Sequence, residues 1–194
     1  MPTAPTPSFE PVELARAYLL LNHGPVTLVS SAHGGTTNVM AAAWTMPLDF
    51  DPPKIVVVID RQTLTRTLIE ESGEFALNIP PRAMAAQVLA VGTRSGKDAG
   101  GDDKFALTGL TTRPGTRVAA PLIEGCLAWL ECRVLPETHN QQRYDLFIGE
   151  VLAAWADPRA FSDNRWHFPD AATRTMHYVA GGSFFATGEE FSVA

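Results

Sequence analysis

Hydrophobic patterning along the chain is densest at residues 26–60, where three strand-like runs are separated by two stretches of turn residues. Residues 26–32 are β-branched and apolar and end at HGGTTN, whose paired glycines supply the positive φ angles of a tight hairpin. In the second run Val39, Ala41, Ala43 and Thr45 fall on one face, and Asn38, Met40, Ala42 and Trp44 on the other. Three alanines in a row, 41–43, give up packing area, which predicts a strand whose backbone a flat, bulky group can approach. Pro52 and Pro53 then lead rigidly into residues 54–59, whose aliphatic run predicts a strand buried on both faces. Periodicity alone makes this the nucleus of a barrel or sandwich. It leaves open whether Trp44 is a ligand contact or a core aromatic.

Around the nucleus the pattern is coarser. Leu14, Tyr18 and Leu21 at helical spacing, with Gly24 just beyond, predict an amphipathic helix over residues 10–22. A second helix follows Asp60, with Thr63 or Thr65 as its N-cap and Gly73 as its stop. Residues 75–79 read as a strand, 82–91 as a helix and 92–104 as a loop rich in Gly and charge. From 126 to 135 the chain alternates, with Leu127, Trp129, Glu131 and Arg133 on one face, and it returns over 144–155 after the polar tip ETHNQQ. The outward-facing Trp129 and its apolar neighbours predict a homodimer. The aromatic and glycine-rich stretch 177–188 is placed to cover one end of the barrel, and residues 1–8, with three prolines, read as a loose arm.

Composition narrows the classes. A length of 194 residues with 45% hydrophobic content suits a single domain over 1–194. The net charge is −6 and the 15 Lys and Arg are scattered, which argues against nucleic acid or an anionic membrane as partner. The absence of a spanning apolar run or a secretory leader pattern predicts a cytoplasmic protein. Cys126 and Cys132, if on one strand, lie about 20 Å apart, too far for a disulfide, and are expected as reduced core residues. The histidines at 23, 33, 139, 167 and 177 are dispersed, so no metal site is expected. No GxSxG, P-loop, GxGxxG or HExxH motif is present, and no catalytic dyad is visible. What remains is phosphate-compatible chemistry: Thr36, Thr37 and Asn38 after the Gly-Gly turn, and Arg61, Thr63, Thr65 and Arg66 at a helix start. Taken alone, these threonines read more readily as simple caps, and Lys104 equally as a solvated loop charge.

The segments LVSSAHGGTTNVMAAAWTMPLDFDPPKIVVVI, GEFALNIP, SGKDAGGDDKFALTGL, APLIEGCLAWLECRV, LFIGEV and HYVAGGSFFATGE, in this order, resemble the flavin reductase-like family, the FMN-binding split barrels that include flavoredoxin-like proteins. The resemblance spans residues 20–188. It implies a mainly β fold, a six-stranded antiparallel Greek-key split barrel with peripheral helices, assembled as a homodimer with FMN near the interface. By the same resemblance Asn38, Ala42, Ala43, Trp44 and Thr45 line the ribityl chain and isoalloxazine. Arg61, Thr63 and Thr65 then hold the phosphate, with Lys104 closing over it, and Thr37 is a further cofactor-binding residue. Many relatives place Ser before the Trp; here Ala43 stands there, one hydrogen bond fewer. His177 reaches the flavin edge as the catalytic candidate. The implied activity is hydride transfer from NAD(P)H to flavin and on to free flavin, a partner oxygenase or another acceptor, the cofactor carrying the chemistry. A noncatalytic FMN-binding electron carrier or flavin sensor, and a barrel without cofactor acting as an interaction module, are the alternatives.

Overall fold

The structure is a computed structural model that describes residues 9–97 and 103–193. The arm at 1–8 and the middle of the 92–104 loop lie outside the described residues. In chain order the first half runs β1 (Glu10–Pro11), a 3₁₀ helix (Leu14–Leu20), β2 (Thr27–His33), β3 (Thr36–Ala42), β4 (Thr45–Phe50), β5 (Pro53–Val58), α1 (Leu64–Ser72) and β6 (Glu74–Ile79). There follow a 3₁₀ turn (Arg82–Met84), α2 (Ala85–Thr93), α3 (Lys104–Leu107), β7 (Thr112–Arg113), β8 (Leu122–Ile123) and β9 (Ala128–Leu135). The chain ends with α4 (Thr138–Tyr144), β10 (Leu146–Ala156), β11 (Phe161–Ser162), β12 (Arg165–Trp166), β13 (Met176–Ala180) and β14 (Ser183–Ala186).

The main sheet runs β3-β2-β6-β9-β10-β5-β4, antiparallel throughout, and β1 adds to β10. Its two edge strands, β3 and β4, are consecutive in the chain and joined only by Ala43 and Trp44. Laid flat, seven strands would hold those edges about 29 Å apart, whereas three peptide steps span at most about 11 Å. The sheet must therefore curl until its edges meet, which makes it a split barrel. Across the seam the hydroxyls of Thr27 and Thr45 lie 2.9 Å apart in a hydrogen bond.

The main sheet has eight strands where six were expected. The break at Ala43 and Trp44 divides the second run into β3 and β4, and Pro11 and its neighbour pair with the end of β10. Two further expectations fail locally. Residues 10–22 form a short strand and a 3₁₀ helix instead of an α-helix, with Ala17 and Leu20, three apart as that helix requires, buried against the barrel. The tip at 137–142 is mostly α4, which buries no residue and so shows no apolar stripe; Arg66 holds it from outside through the Gln141 carbonyl at 2.8 Å.

Strand alternation separates two cores. Phe75, Leu77 and Ile79 of β6 meet Ala128, Leu130 and Cys132 of β9 inside the barrel, while Ala76 and Trp129 face a second layer built by α2, α3 and the β8 segment. Gly149 permits this inner packing, since a Cβ there would stand 2.6 Å from Phe75 Cζ. Both cysteines are free and buried, and burial pushes both thiols well above their ordinary range. Trp129 does not face solvent as expected: it is fully buried, packed edge-on to Phe9 at 4.3 Å, and its indole N–H donates to the Ile123 carbonyl.

Beside it Glu131, on the same face of β9, is fully buried. Its carboxylate accepts from the backbone N–H groups of Thr116, Arg117 and Val118, from the Thr116 hydroxyl and from the Trp155 indole. Desolvation alone would raise its pKa, but these donors outweigh it and hold the carboxyl below the usual range.

Candidate functional site

A cleft of about 530 Å³ opens at the seam of the barrel, within the size range of small-molecule sites. Ala41, Ala42, Ala43 and Trp44 form its floor. Because β3 pairs only with β2, alternate backbone N–H and C=O groups along its free edge have no sheet partner. With alanine side chains there, a flat ligand can reach those groups. Trp44 is 74% exposed, unusual for so large an aromatic and a mark of a binding surface.

Three further elements wall the cleft. Helix α2 contributes Val88 and Leu89, and the end of β5 with α4 contributes Asp60, Tyr144 and Asp145. The third is the β13–β14 hairpin, a separate two-stranded sheet that brings Tyr178 and Phe184, packed edge-on at 5.3 Å. It joins the body through Val26 N–H to the Met176 carbonyl at 2.7 Å and through His23 Nε2 to the Thr175 hydroxyl at 2.8 Å. Strand alternation turns His177 to the face opposite Tyr178, toward the His23 ring at 6.4 Å. Burial, with a smaller contribution from His177, lowers the His23 pKa to about 4. His177, expected at the ligand's edge, is not among the residues that line the cleft. Tyr178 is the residue of that strand that lines the cleft.

At the other end of β3, polar groups gather. The Asn38 amide donates to the Thr65 hydroxyl at 2.8 Å, and both side chains are buried. Asn38 Oδ1 is buried without a partner among the described residues, and a Cβ at Gly96 would stand 2.9 Å from Asn38 Cγ, so the loop after α2 rests on this amide. Helices α1 and α3 both pack against β3. Lys104, the first residue of α3, is not a solvated loop charge: it is 5% exposed, burial lowers its pKa to about 8, and among the described residues no acceptor pairs with its ammonium. Thr37 is exposed on the same strand.

The remaining expected residues are engaged elsewhere. Thr63 is the N-cap of α1, accepting from Arg66 N–H and donating to the Asp60 carbonyl at 2.8 Å. Thr45 faces the seam, bonded to Thr27. Arg61 is exposed and reaches the Gln142 carbonyl at 3.0 Å and Asp145 at 3.2 Å. The buried Arg66 ties α1 to α4, donating to Glu70 and Asp145, each at 2.7 Å, and to the Ile59 and Gln141 carbonyls. Desolvation would raise the Asp145 pKa, but the Arg66 hydrogen bond and the Arg61 charge hold it below the ordinary value. Sequence reasoning missed Tyr144, Asp145, Tyr178 and Phe184. The alternation of HYVAGGSFFATG, which sets Tyr178 opposite His177, is the signal that marks one of them.

The model of the "Flavin reductase like domain" matches residues 20–179. The chain belongs to the flavin reductase-like family. A relative from Escherichia coli (strain K12), the uncharacterized protein YddH, is 44% identical, covering 93% of this chain and 96% of its own length. Among solved structures, an FMN-binding domain of a flavin reductases-like enzyme from Shewanella baltica OS155 superposes with a TM-score of 0.94 at 45% identity, covering 98% of this chain and all of that one. The flavoredoxin of Desulfovibrio vulgaris (Miyazaki F) gives 0.75 at 29% identity, covering 88% of this chain and 90% of its own. In this flavin reductase-like chain Ala42, Ala43 and Trp44 line one cleft, Asn38 lies on the strand that forms its floor and is bonded to Thr65 of α1, and Lys104 belongs to α3, which packs against the same strand. Among the described residues no cluster of His, Cys, Asp and Glu could hold a metal, and no helix is long and apolar enough to cross a membrane.

Proposed function

We propose that the chain is an FMN-dependent oxidoreductase that takes a hydride from NAD(P)H and passes the electrons to an acceptor. The observation that carries this reading is the small-residue free edge of β3 in an aromatic cleft, with α3, whose buried Lys104 has no counter-ion among the described residues, packed against the same strand. The residues present fit FMN. Lys104, with Thr65 and Asn38, supplies a cation and short polar donors for a dianionic phosphate. Thr63 and Arg61 complete that end if Arg61 exchanges its Asp145 contact for the phosphate, and Thr37 flanks it from the strand. Thr45 supports the floor through the seam. The free edge of Ala41–Ala43 offers backbone donors and acceptors to the polar rim of the ring system, and Trp44 packs beside it. When bound, FMN supplies the redox chemistry; the chain binds it, orients it and excludes water. Tyr178 and Phe184 leave room for a second flat ring on the side away from the floor.

Purified protein is expected to be yellow and to lose its visible flavin band on anaerobic addition of NADH or NADPH. Bleaching by dithionite but by neither nicotinamide would replace this reading with an electron carrier, and failure to take up any FMN would remove both.

The reading places the protein in the cytoplasm, where NAD(P)H is available, and includes a homodimer. Since Trp129 is buried, the surface for it is edge strand β4, where Trp44, Met46, Leu48 and Phe50 are 74, 57, 48 and 61% exposed. Light scattering should give twice the 21.0 kDa chain mass for wild type and the single mass for Met46→Asp with Phe50→Asp. A wild-type monomer at micromolar concentration sinks the dimer.

A further inference from the structure

We infer that the cleft admits an uncharged flat ring as its second ligand, and that Asp60 is the residue that turns anions away. This rests on the proposed function only for the ligand's role as electron donor or acceptor; the charge preference belongs to the cleft itself. Among the described residues that line it, the ionised side chains are Asp60 and Asp145, and no Lys, Arg or His is found there. Asp145 is compensated by Arg66 at 2.7 Å and Arg61 at 3.2 Å. Asp60 is not. Its Oδ1 accepts from the Gln62 N–H at 2.7 Å, and among the described residues no cation lies within ion-pair distance of it.

Arg66 has little charge to spare for an incoming anion, because it is shared between Glu70 and Asp145, each at 2.7 Å, and four of its five N–H donors are used among the described residues. Arg61 is held by Asp145 or, under the proposed function, by a phosphate, and Asp145 keeps Arg66 in either case. A carboxylate or sulfonate entering the cleft would lose hydration against Tyr178, Phe184 and Trp44 with no cation to replace it, and would meet the Asp60 charge. A neutral ring stacks on the same aromatics at no such cost. The net charge of −6 adds to the bias at a distance. The ligand class is therefore a neutral arene, quinone or conjugated carbonyl compound, with the nicotinamide ring itself among the shapes that fit.

Benzamide and benzoate have nearly the same shape and differ in charge, so their dissociation constants test the inference directly. Binding is read from the flavin spectrum of the loaded protein and from tryptophan fluorescence of the flavin-free protein, with Trp44→Phe identifying the responding residue. Benzamide is expected to bind at least tenfold more tightly at low salt. Asp60→Asn, which keeps the Oδ1 acceptor for Gln62, should shrink that ratio at least threefold. Benzoate binding as tightly as benzamide, no benzamide binding at all, or a ratio unchanged in Asp60→Asn overturns the inference. Protein that takes up no FMN sinks the oxidoreductase reading instead, and the fluorescence titration still decides this one.

Discussion

Glu131→Ala should destabilise the protein by about 4 kcal/mol, because it removes a fully buried carboxylate and five hydrogen bonds to its charge at once. Three consecutive backbone N–H groups, a hydroxyl and an indole converge on this carboxylate, at distances from 2.6 to 3.2 Å. For a chain of this size that corresponds to a fall in Tm of roughly 8–16 °C. The pH dependence has a fixed sign. The folded-state pKa is depressed, so the stabilisation is complete above the ordinary carboxylate pKa and is lost as pH falls through the lower, folded value. Thermal unfolding between pH 3 and 7 should show an acid limb in wild type that is flatter in Glu131→Gln. An alanine variant melting within two degrees of wild type would show the pocket to be hydrated.

For Lys104→Met, FMN affinity should fall about 100-fold, or about 2.8 kcal/mol, while riboflavin affinity stays within about threefold, since riboflavin lacks the phosphate. The flavin-free protein holds this ammonium buried and unpaired among the described residues, so its charge is a liability until an anion arrives. Here the folded pKa of about 8 lies below the unfolded value of 10.5. Below pH 8 both states are protonated and the whole penalty is present; between 8 and 10.5 the unfolded state binds more protons and stability rises with pH. Wild type should gain stability over that window and Lys104→Met should not. FMN affinity should decline as pH rises above about 8. Equal losses for FMN and riboflavin in the methionine variant would take the phosphate away from Lys104.

The stretch 26–60 was legible because its signals are local: paired glycines, a Pro-Pro entry and aliphatic runs act on their own backbone. Even there the corner at Ala43 and Trp44 was hidden, since no turn residue marks it and only closure of the sheet demands it. Helix α4 was illegible for a related reason, its support coming from Arg66 on another element. Alternation put Trp129 and Glu131 on one face, but it reports two faces and cannot say that both are covered. The segments that cover it, around residues 116–123, carry little regular structure of their own. Within the site, the floor residues were legible from their small size, while Asp145 and Tyr144 depended on α4, and Tyr178 on choosing the correct face of β13.

The free edge of β3 also has an evolutionary consequence. A ligand read by main-chain groups places almost no demand on which side chain each position carries, only on how far it projects. Gly or Ser at Ala41, Ala42 or Ala43 would leave the edge open, whereas a branched residue would cover it. Lineages can therefore drift in sequence along this strand and keep the same recognition, and the volume of the side chains, more than their chemistry, marks where selection acts.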